Sequence, residues 1–261
     1  QDSYKRELCD VEGFDLVNKG FKKSYEVSPK YGISVKASAG HLWFTQRGWV
    51  RTDELSLDDW LLYNNKRWDL PESKLFTDKE LELIGWFIAE GCRRVKRNSV
   101  SLSVAEKEYQ DLLPNVYDGY VWKTTNGKDF RYVNSSGIKG SRHNPPAATL
   151  LKRFGLLDKY SYEKTLPQEI LKCSNRQIGI VLRCMWDGDG TVSDNGLIYS
   201  TTSELLAKQI VMVLARLSIL SFIYSVPDDR KESYKTLHRV TVPVQEIGKF
   251  NAILFLWELS K

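Results

Sequence analysis

Apolar side chains crowd two stretches of the chain, Leu83–Gly91 (LIGWFIAEG) and Leu182–Gly190 (LRCMWDGDG), and each stretch ends in a carboxylate followed by glycine. A capping box precedes each one, Thr77-Asp78-Lys79-Glu80 before the first and Ser174-Asn175-Arg176-Gln177 before the second, which predicts a helix start in both places. Gly91 and Gly190 are expected to end the helices in the left-handed backbone conformation. Helices over Asp78–Glu90 and Asn175–Asp189 would each run roughly 20 Å at about 1.5 Å per residue, with Glu90 and Asp189 on the last turns. Leu81, Ile84, Trp86, Phe87 and Ile88 in one, with Ile178, Ile180, Val181, Leu182, Met185 and Trp186 in the other, leave almost no polar side, so both helices are expected to be buried.

Small residues recur at a spacing of four, Gly85 with Ala89 and Cys184 with Gly188, which puts each pair on one stripe where a second backbone could approach. If the two stripes pack on each other, Glu90 and Asp189 arrive side by side. Two carboxylates that close repel unless a cation or a proton lies between them, and a divalent metal is the simplest resolution. The run Asp187-Gly188-Asp189-Gly190-Thr191 superficially suggests a calcium loop, but the sixth position is Val192 in place of Gly and the twelfth is Ile198 in place of Glu.

Beyond the second helix, Leu197–Thr201 alternates as a strand, and Ser203 opens a helix with Leu206, Ile210, Val213, Leu214 and Leu217 at helical spacing. Strands at Phe222–Val226 and Leu237–Val242 and a closing helix from about Val244 complete the second half. The first half shows the same order: Val100, Leu102 and Val104 alternate, a short helix runs to Leu113, and Asn126-Gly127 marks a hairpin turn between YVWKTT and DFRYV. Residues 1–70 differ in character, with Trp43, Trp49, Trp60 and Trp68, turn signals at Asn18-Lys19-Gly20, Ser28-Pro29 and Ala39-Gly40, and no helical pattern. Residues 64–73 are expected to be a linker.

A chain of 261 residues with 42% hydrophobic composition can bury substantial cores in about two structural units. No apolar run approaches the roughly 20 residues of a membrane span, no signal peptide is evident, and Cys9, Cys92, Cys173 and Cys184 lie far apart without a CxxC pattern. An intracellular protein with reduced thiols is expected. The net charge of +5 is modest, but its distribution is informative: residues 92–142 hold ten Lys/Arg against five Asp/Glu, while the first seventy balance. Arg93, Arg94, Lys96, Arg97, Lys123, Lys128, Arg131, Lys139 and Arg142, interleaved in the hairpin with Tyr120, Trp122, Phe130 and Tyr132, suit phosphate neutralisation and groove contact on a nucleic acid. Arg230, Lys231, Lys235 and Arg239 would serve likewise in the second half.

The paired motifs, with the stretch GLIYSTTSELLAKQIVMVLARL, resemble those of two-motif LAGLIDADG homing endonucleases of the intein type, over about residues 72–261. That resemblance implies an α+β fold of two pseudo-symmetric αββαββα-type repeats, about 74–157 and 172–261, packed on the paired helices of a domain spanning 71–261. It implies site-specific double-strand cleavage of DNA by metal-dependent phosphodiester hydrolysis leaving short 3′ overhangs, with Mg2+ or Mn2+ held by the last acid of each motif, here Glu90 and Asp189. The first motif departs from the commonest pattern by carrying Glu for Asp. Glu163-Lys164-Thr165-Leu166-Pro167 resembles the Lys-x-Ile-Pro block before the second motif of intein endonucleases, which implies a catalytic Lys164; symmetry would assign Lys235 to the other half. The alternative for either lysine is a solvated side chain on a hairpin. With both motifs in one chain the resemblance implies a monomer on a long asymmetric duplex site. Catalytically silent relatives, RNA-splicing maturases and transcription regulators, are the alternative; acids at both motif ends favour cleavage.

Gly32–Leu62 resembles the N-terminal splicing block of inteins through Ser38-Ala39-Gly40-His41, Gly48-Trp49-Val50 and Leu57-Asp58-Asp59. Splicing needs a Cys or Ser nucleophile at the start and a terminal His-Asn, whereas this sequence begins at Gln1 and ends at Ser260-Lys261. Residues 1–70 are therefore expected to be a partial, mainly-β Hint-like module, with His41 packed or hydrogen-bonded.

Overall fold

A computed structural model describes residues 17–62, 68–92, 100–124, 126–135, 145–227 and 235–255, which fall into two compact units. The smaller takes 17–28 with Ser34–Leu62, and the larger takes Pro29–Ile33 with the described residues after 62. In the smaller unit β1 (Ser24–Val27) pairs antiparallel with β2 (Val35–Ser38), and β3 (Leu42–Thr45) forms a hairpin with β4 (Gly48–Arg51). Gly48, at φ +91°, supplies the left-handed residue that this hairpin turn requires. Trp43 Nε1 donates to Thr52 Oγ1 at 2.9 Å, and the Arg47 guanidinium forks onto both oxygens of Asp59 at 2.6 Å.

The larger unit runs α1 (Asp78–Glu90), β5 (Ser101–Ser103), α2 (Lys107–Gln110), β6 (Tyr120–Thr124), β7 (Asp129–Asn134), α3 (Pro146–Arg153), α4 (Gln168–Leu171), α5 (Asn175–Asp189), β8 (Gly190–Ser193), β9 (Gly196–Thr201), α6 (Glu204–Arg216), β10 (Phe222–Val226), β11 (Leu237–Pro243) and α7 (Ile247–Phe255). Two antiparallel sheets result, ordered β5-β7-β6 and β10-β11-β9-β8. The architecture is α+β, with one continuous apolar core built from both helices' large side chains and the inner faces of both sheets.

Both expected helices begin at their capping boxes. Thr77 Oγ1 accepts from Glu80 N while the Glu80 carboxylate accepts from Thr77 N at 2.9 Å, and Ser174 and Gln177 repeat the exchange. The helices pack side by side and parallel. A Cβ on Gly85 of α1 would lie 2.6 Å from Val181 O and 2.8 Å from Cys184 Cβ of α5, and a Cβ on Gly188 would lie 2.6 Å from Ala89 Cβ. The small residues thus meet across the seam, as their spacing predicts. At the other end Arg176 of α5 donates to both Asp78 oxygens of α1 at 2.8 and 3.0 Å and also reaches Glu72. Parallel packing sends both C-termini, and so both acids, to one end.

Three expectations are corrected. Gly91 and Gly190 are not left-handed: their φ/ψ values are −70°/132° and −82°/149°, ordinary extended backbone. Glycine is needed there for space, because a Cβ would sit 2.3 Å from Phe87 O and 2.2 Å from Trp186 O as the chain turns back against its own helix. The short helix after Val104 ends at Gln110, with a turn in place of a last helical step to Leu113. The hairpin aromatics do not interleave with the basic residues on one surface. Tyr132 is 1% exposed, Tyr120, Trp122 and Phe130 pack against the core, and Lys123 and Arg131, opposite each other in the ladder, belong to the other face.

The expected linker is also anchored at its far end. Asn175 N donates to Asp69 Oδ1 at 2.7 Å, Asn175 Nδ2 donates to Trp68 O at 2.7 Å, and Gln177 exchanges hydrogen bonds with both backbone groups of Ser73. Trp68–Ser73 therefore straps the start of α5.

Candidate active site at the ends of the paired helices

Glu90 and Asp189 end α1 and α5 beside the glycine seam, where the position of a Cβ on Gly188 lies 3.1 Å from Glu90 Cγ. Neither acid is at ease as an anion. Burial, then the facing Asp189 and Glu106, raise the Glu90 carboxyl to about 7, with Lys164 pulling the other way. Burial raises Asp189 to about 6, against the lowering influence of Lys164 and of the Tyr199 hydroxyl. Each helix also points its C-terminal carbonyl end at its own acid, which further disfavours negative charge.

Lys164 supplies the positive charge from below. It is 2% exposed, which overturns the alternative of a solvated hairpin lysine. Its Nζ donates to Phe87 O, Ile88 O and Gly91 O at 2.8, 2.9 and 2.8 Å, so all three ammonium protons cap the end of α1. Burial pushes this ammonium down to about 8 against the opposing pull of Asp189, Cys92 and Glu90. The segment carrying it is held to α6: Ser203 Oγ, the N-cap, donates to Lys164 O at 2.7 Å, and Gln209 bonds both the N–H and the C=O of Leu166 at 2.9 Å.

Tyr199 was not among the residues singled out by sequence. It stands opposite Gly190 in the β8–β9 ladder, is fully buried, and turns its hydroxyl toward Asp189. That hydroxyl has no partner at ordinary hydrogen-bond length. The available signal was a polar-tipped aromatic at an inward position of an alternating strand next to the motif glycine.

Lys235 is exposed, with Nζ 5.2 Å from the centre of the Tyr162 ring, which in turn stacks on Tyr160. Lys123, exposed, shares a ladder row with the half-buried Arg131 and the buried Ser101 on the face of the first sheet opposite its aromatics, and the exposed Arg239 shares one with Ser200 and Tyr224 on the second. Lys128 is exposed at the β6–β7 turn. Cys9, Arg93, Arg94, Lys96, Arg97, Lys139, Arg142, Arg230 and Lys231 lie outside the described residues. His41 is exposed, with its ring edge-on to Trp43 at 5.1 Å.

Two convergent carboxylates with raised proton affinity are hard oxygen donors that fit Mg2+ or Mn2+, which is commonly held by one or two carboxylates with water and phosphate oxygens filling the remaining positions. Among the described residues no group of three or more His, Cys, Asp or Glu forms a closed metal cage.

Residues 176–254 match the family model described as a LAGLIDADG-like domain. The chain is similar to the replicative DNA helicase DnaB of Synechocystis sp., 27% identical over 231 residues that make up 81% of this chain and 26% of the helicase. DnaB of Rhodothermus marinus is 25% identical over 260 residues, 92% of this chain and 26% of that protein. The replication factor C small subunit of Methanocaldococcus jannaschii is 23% identical over 180 residues, 66% of this chain and 9% of its own length. The chain therefore spans about a quarter of the helicases it matches. Among solved structures it is similar to I-DmoI in complex with DNA and Mn, with a TM-score of 0.44 and 11% identity over 68% of this chain and 96% of that one.

Proposed function

We propose that this chain is a double-strand DNA endonuclease of the LAGLIDADG homing type, cutting one phosphodiester bond per strand at a long asymmetric site. The observation that carries the proposal is the meeting of Glu90 and Asp189 at one end of two parallel, glycine-seamed helices, the second of which lies in the segment that matches the LAGLIDADG-like domain. A protein that only bound nucleic acid would gain nothing from two apposed, half-buried carboxylates.

Glu90 and Asp189 would hold the divalent ion, Mg2+ or Mn2+. When bound there, such an ion supplies Lewis-acid activation of water and charge stabilisation at the phosphate. The chain's own residues do the rest. Lys164 fixes the last turn of α1 and offsets part of the paired negative charge, a positioning role, since its donors are engaged with carbonyls. Lys123, Lys128, Arg131, Lys235 and Arg239, with the basic residues of 93–97, 139–142 and 230–231, neutralise phosphates along the duplex. Support for treating the two halves as repeats comes from the order of the sheets: β5-β7-β6 and β9-β11-β10 each place the later strand of a hairpin in the middle. One chain with both halves would act as a monomer, and the unlike hairpins suit unlike half-sites.

An origin as an intein-type insertion is supported by two findings. The smaller unit carries the motifs that resemble a splicing block, and differently named replication proteins share with this chain only a limited part of their own length.

The test is selection of cleaved sites from a randomised duplex library with Mg2+, followed by sequencing of the ends. Parent protein should release short 3′ overhangs at one sequence, and Glu90→Gln and Asp189→Asn should not. Binding without metal-dependent cutting would replace the nuclease by a maturase or regulator.

A further inference from the structure

We infer that Tyr199 is a positioning residue of the acid pair, whose buried hydroxyl donates to the Asp189 carboxylate and holds it in the orientation that ligates a divalent cation. The inference rests on the proposed metal-dependent reading of the site and deepens it.

Placement makes the contact specific. Tyr199 faces Gly190 across the β8–β9 ladder, directly beyond Asp189, with its side chain on the same inward row as the fully buried Val240. Its ring cannot swing away. Trp186, one turn back along α5, packs on it at 5.1 Å, and Trp186 is itself packed on Phe250 at 4.9 Å. The hydroxyl is therefore delivered to one spot, under the end of α5.

That hydroxyl is costly where it stands. A buried O–H without an acceptor loses its water and gains nothing in return, so such groups are rare unless something completes them. Asp189 is the acceptor that it faces, and O–H···O⁻ bonds to an ionised carboxylate are short and strong. With a divalent ion bound, Asp189 would be ionised, and the Tyr199 hydroxyl would fix the carboxylate by a hydrogen bond to it. Outer partners of metal ligands act in this way generally, orienting the ligand they touch.

Among the described residues the first half shows no equivalent at this ladder position. The residue opposite Gly91, which follows Glu90, is Leu102, fully buried and without a polar atom on its side chain. The two acids thus differ in what faces the glycine that follows them, a tyrosine beside Asp189 and a leucine beside Glu90.

The test uses the full chain and Tb3+, with Trp186 as the sensitiser of the ion's emission, backed by Mn2+ titration followed by electron paramagnetic resonance. Tyr199→Phe keeps the ring and should weaken ion binding by about 10-fold, within the range seen for outer partners of metal ligands. Its melting temperature in EDTA should equal or exceed the parent's, while the upward shift on adding Mn2+ should shrink, a change that a merely structural hydroxyl would not produce. On cognate duplex the variant should accumulate singly nicked product. Ion affinity within about twofold of the parent, with Glu90→Gln and Asp189→Asn both weakened, overturns the role of Tyr199 and leaves the metal site standing. Parent protein that binds neither ion, or acid variants that bind like the parent, overturns both.

Discussion

Gly188 of α5 lies so close to Ala89 of α1 that a methyl group on it would stand 2.6 Å from the Ala89 methyl, well inside van der Waals contact. The glycine is what allows the two acids to share one end of the helix pair. Gly85→Ala should destabilise the protein by about 1–3 kcal/mol, because the added carbon meets the backbone oxygen of Val181 at 2.6 Å, and backbone cannot step aside. Gly188→Ala should cost a similar amount and also displace Glu90. Gly248→Ala in α7, where a Cβ meets nothing within 4 Å, should be neutral or stabilising within about 1 kcal/mol. Urea unfolding of the three variants checks the contrast.

The acid pair should make stability fall as pH rises. Glu90 and Asp189 hold protons more tightly in the folded protein, at about 7 and about 6, than at their ordinary values of 4.5 and 3.8. Between roughly pH 4 and 7 the folded state therefore binds more protons than the unfolded one, and the linkage slope is negative. Without metal the native state should be least strained by the pair near pH 4 and most strained above pH 7. Glu90→Gln should match the parent at pH 4 and exceed it by about 1–3 kcal/mol at pH 8 in EDTA. Denaturant titrations at pH 4, 6 and 8 read this directly; equal stability at pH 8 would refute it.

How much of this was legible beforehand follows from the range of the signals. Capping boxes, the apolar helix faces and the four-residue spacing of Gly85, Ala89, Cys184 and Gly188 are local, and the acid pair follows from them. Period-two alternation marks the strands, and the same alternation assigns the hairpin aromatics to one face and Lys123 and Arg131 to the other, so composition alone, which places them together, misleads. The extended conformation of Gly91 and Gly190 depends on how the chain leaves each helix and folds back on it, which a C-cap rule does not encode. The contacts of Lys164, a residue the resemblance itself points to, and the place of Tyr199 are the least readable. The carbonyls that Lys164 caps lie more than seventy positions away, and Tyr199 matters only through the register that sets it opposite Gly190.

Lys164→Met should expose the structural side of that lysine. It removes the three donors at the end of α1, leaving Ile88 O without its ammonium partner while Phe87 O keeps only the Gly91 N–H, at a cost of about 2–4 kcal/mol. Backbone amides of the last turn of α1 should exchange with solvent faster than those of its first turn, where the capping box is untouched. Hydrogen exchange with mass spectrometry separates the roles: a lysine that served only the substrate would leave the exchange pattern of the free protein unchanged.

Phosphate contact should be divided between the two sheets through their exposed cations. Lys123 shares its row with Arg131 on the first sheet, and Arg239 shares its row with Ser200 and Tyr224 on the second. If each side chain neutralises one phosphate, Lys123→Ala and Arg239→Ala should each make the plot of log affinity against log salt shallower by about 0.9, through loss of one counterion released on binding. The double variant should lose about twice that, since the residues lie on separate sheets and do not share a partner. Lys208 of α6, paired with Glu204 at 2.6 Å, is the comparison, and its replacement by Ala should leave the slope where it was. Fluorescence anisotropy with duplex DNA and Ca2+ in place of Mg2+, at several salt concentrations, measures all four proteins; unchanged slopes for Lys123→Ala and Arg239→Ala would move the DNA off these faces.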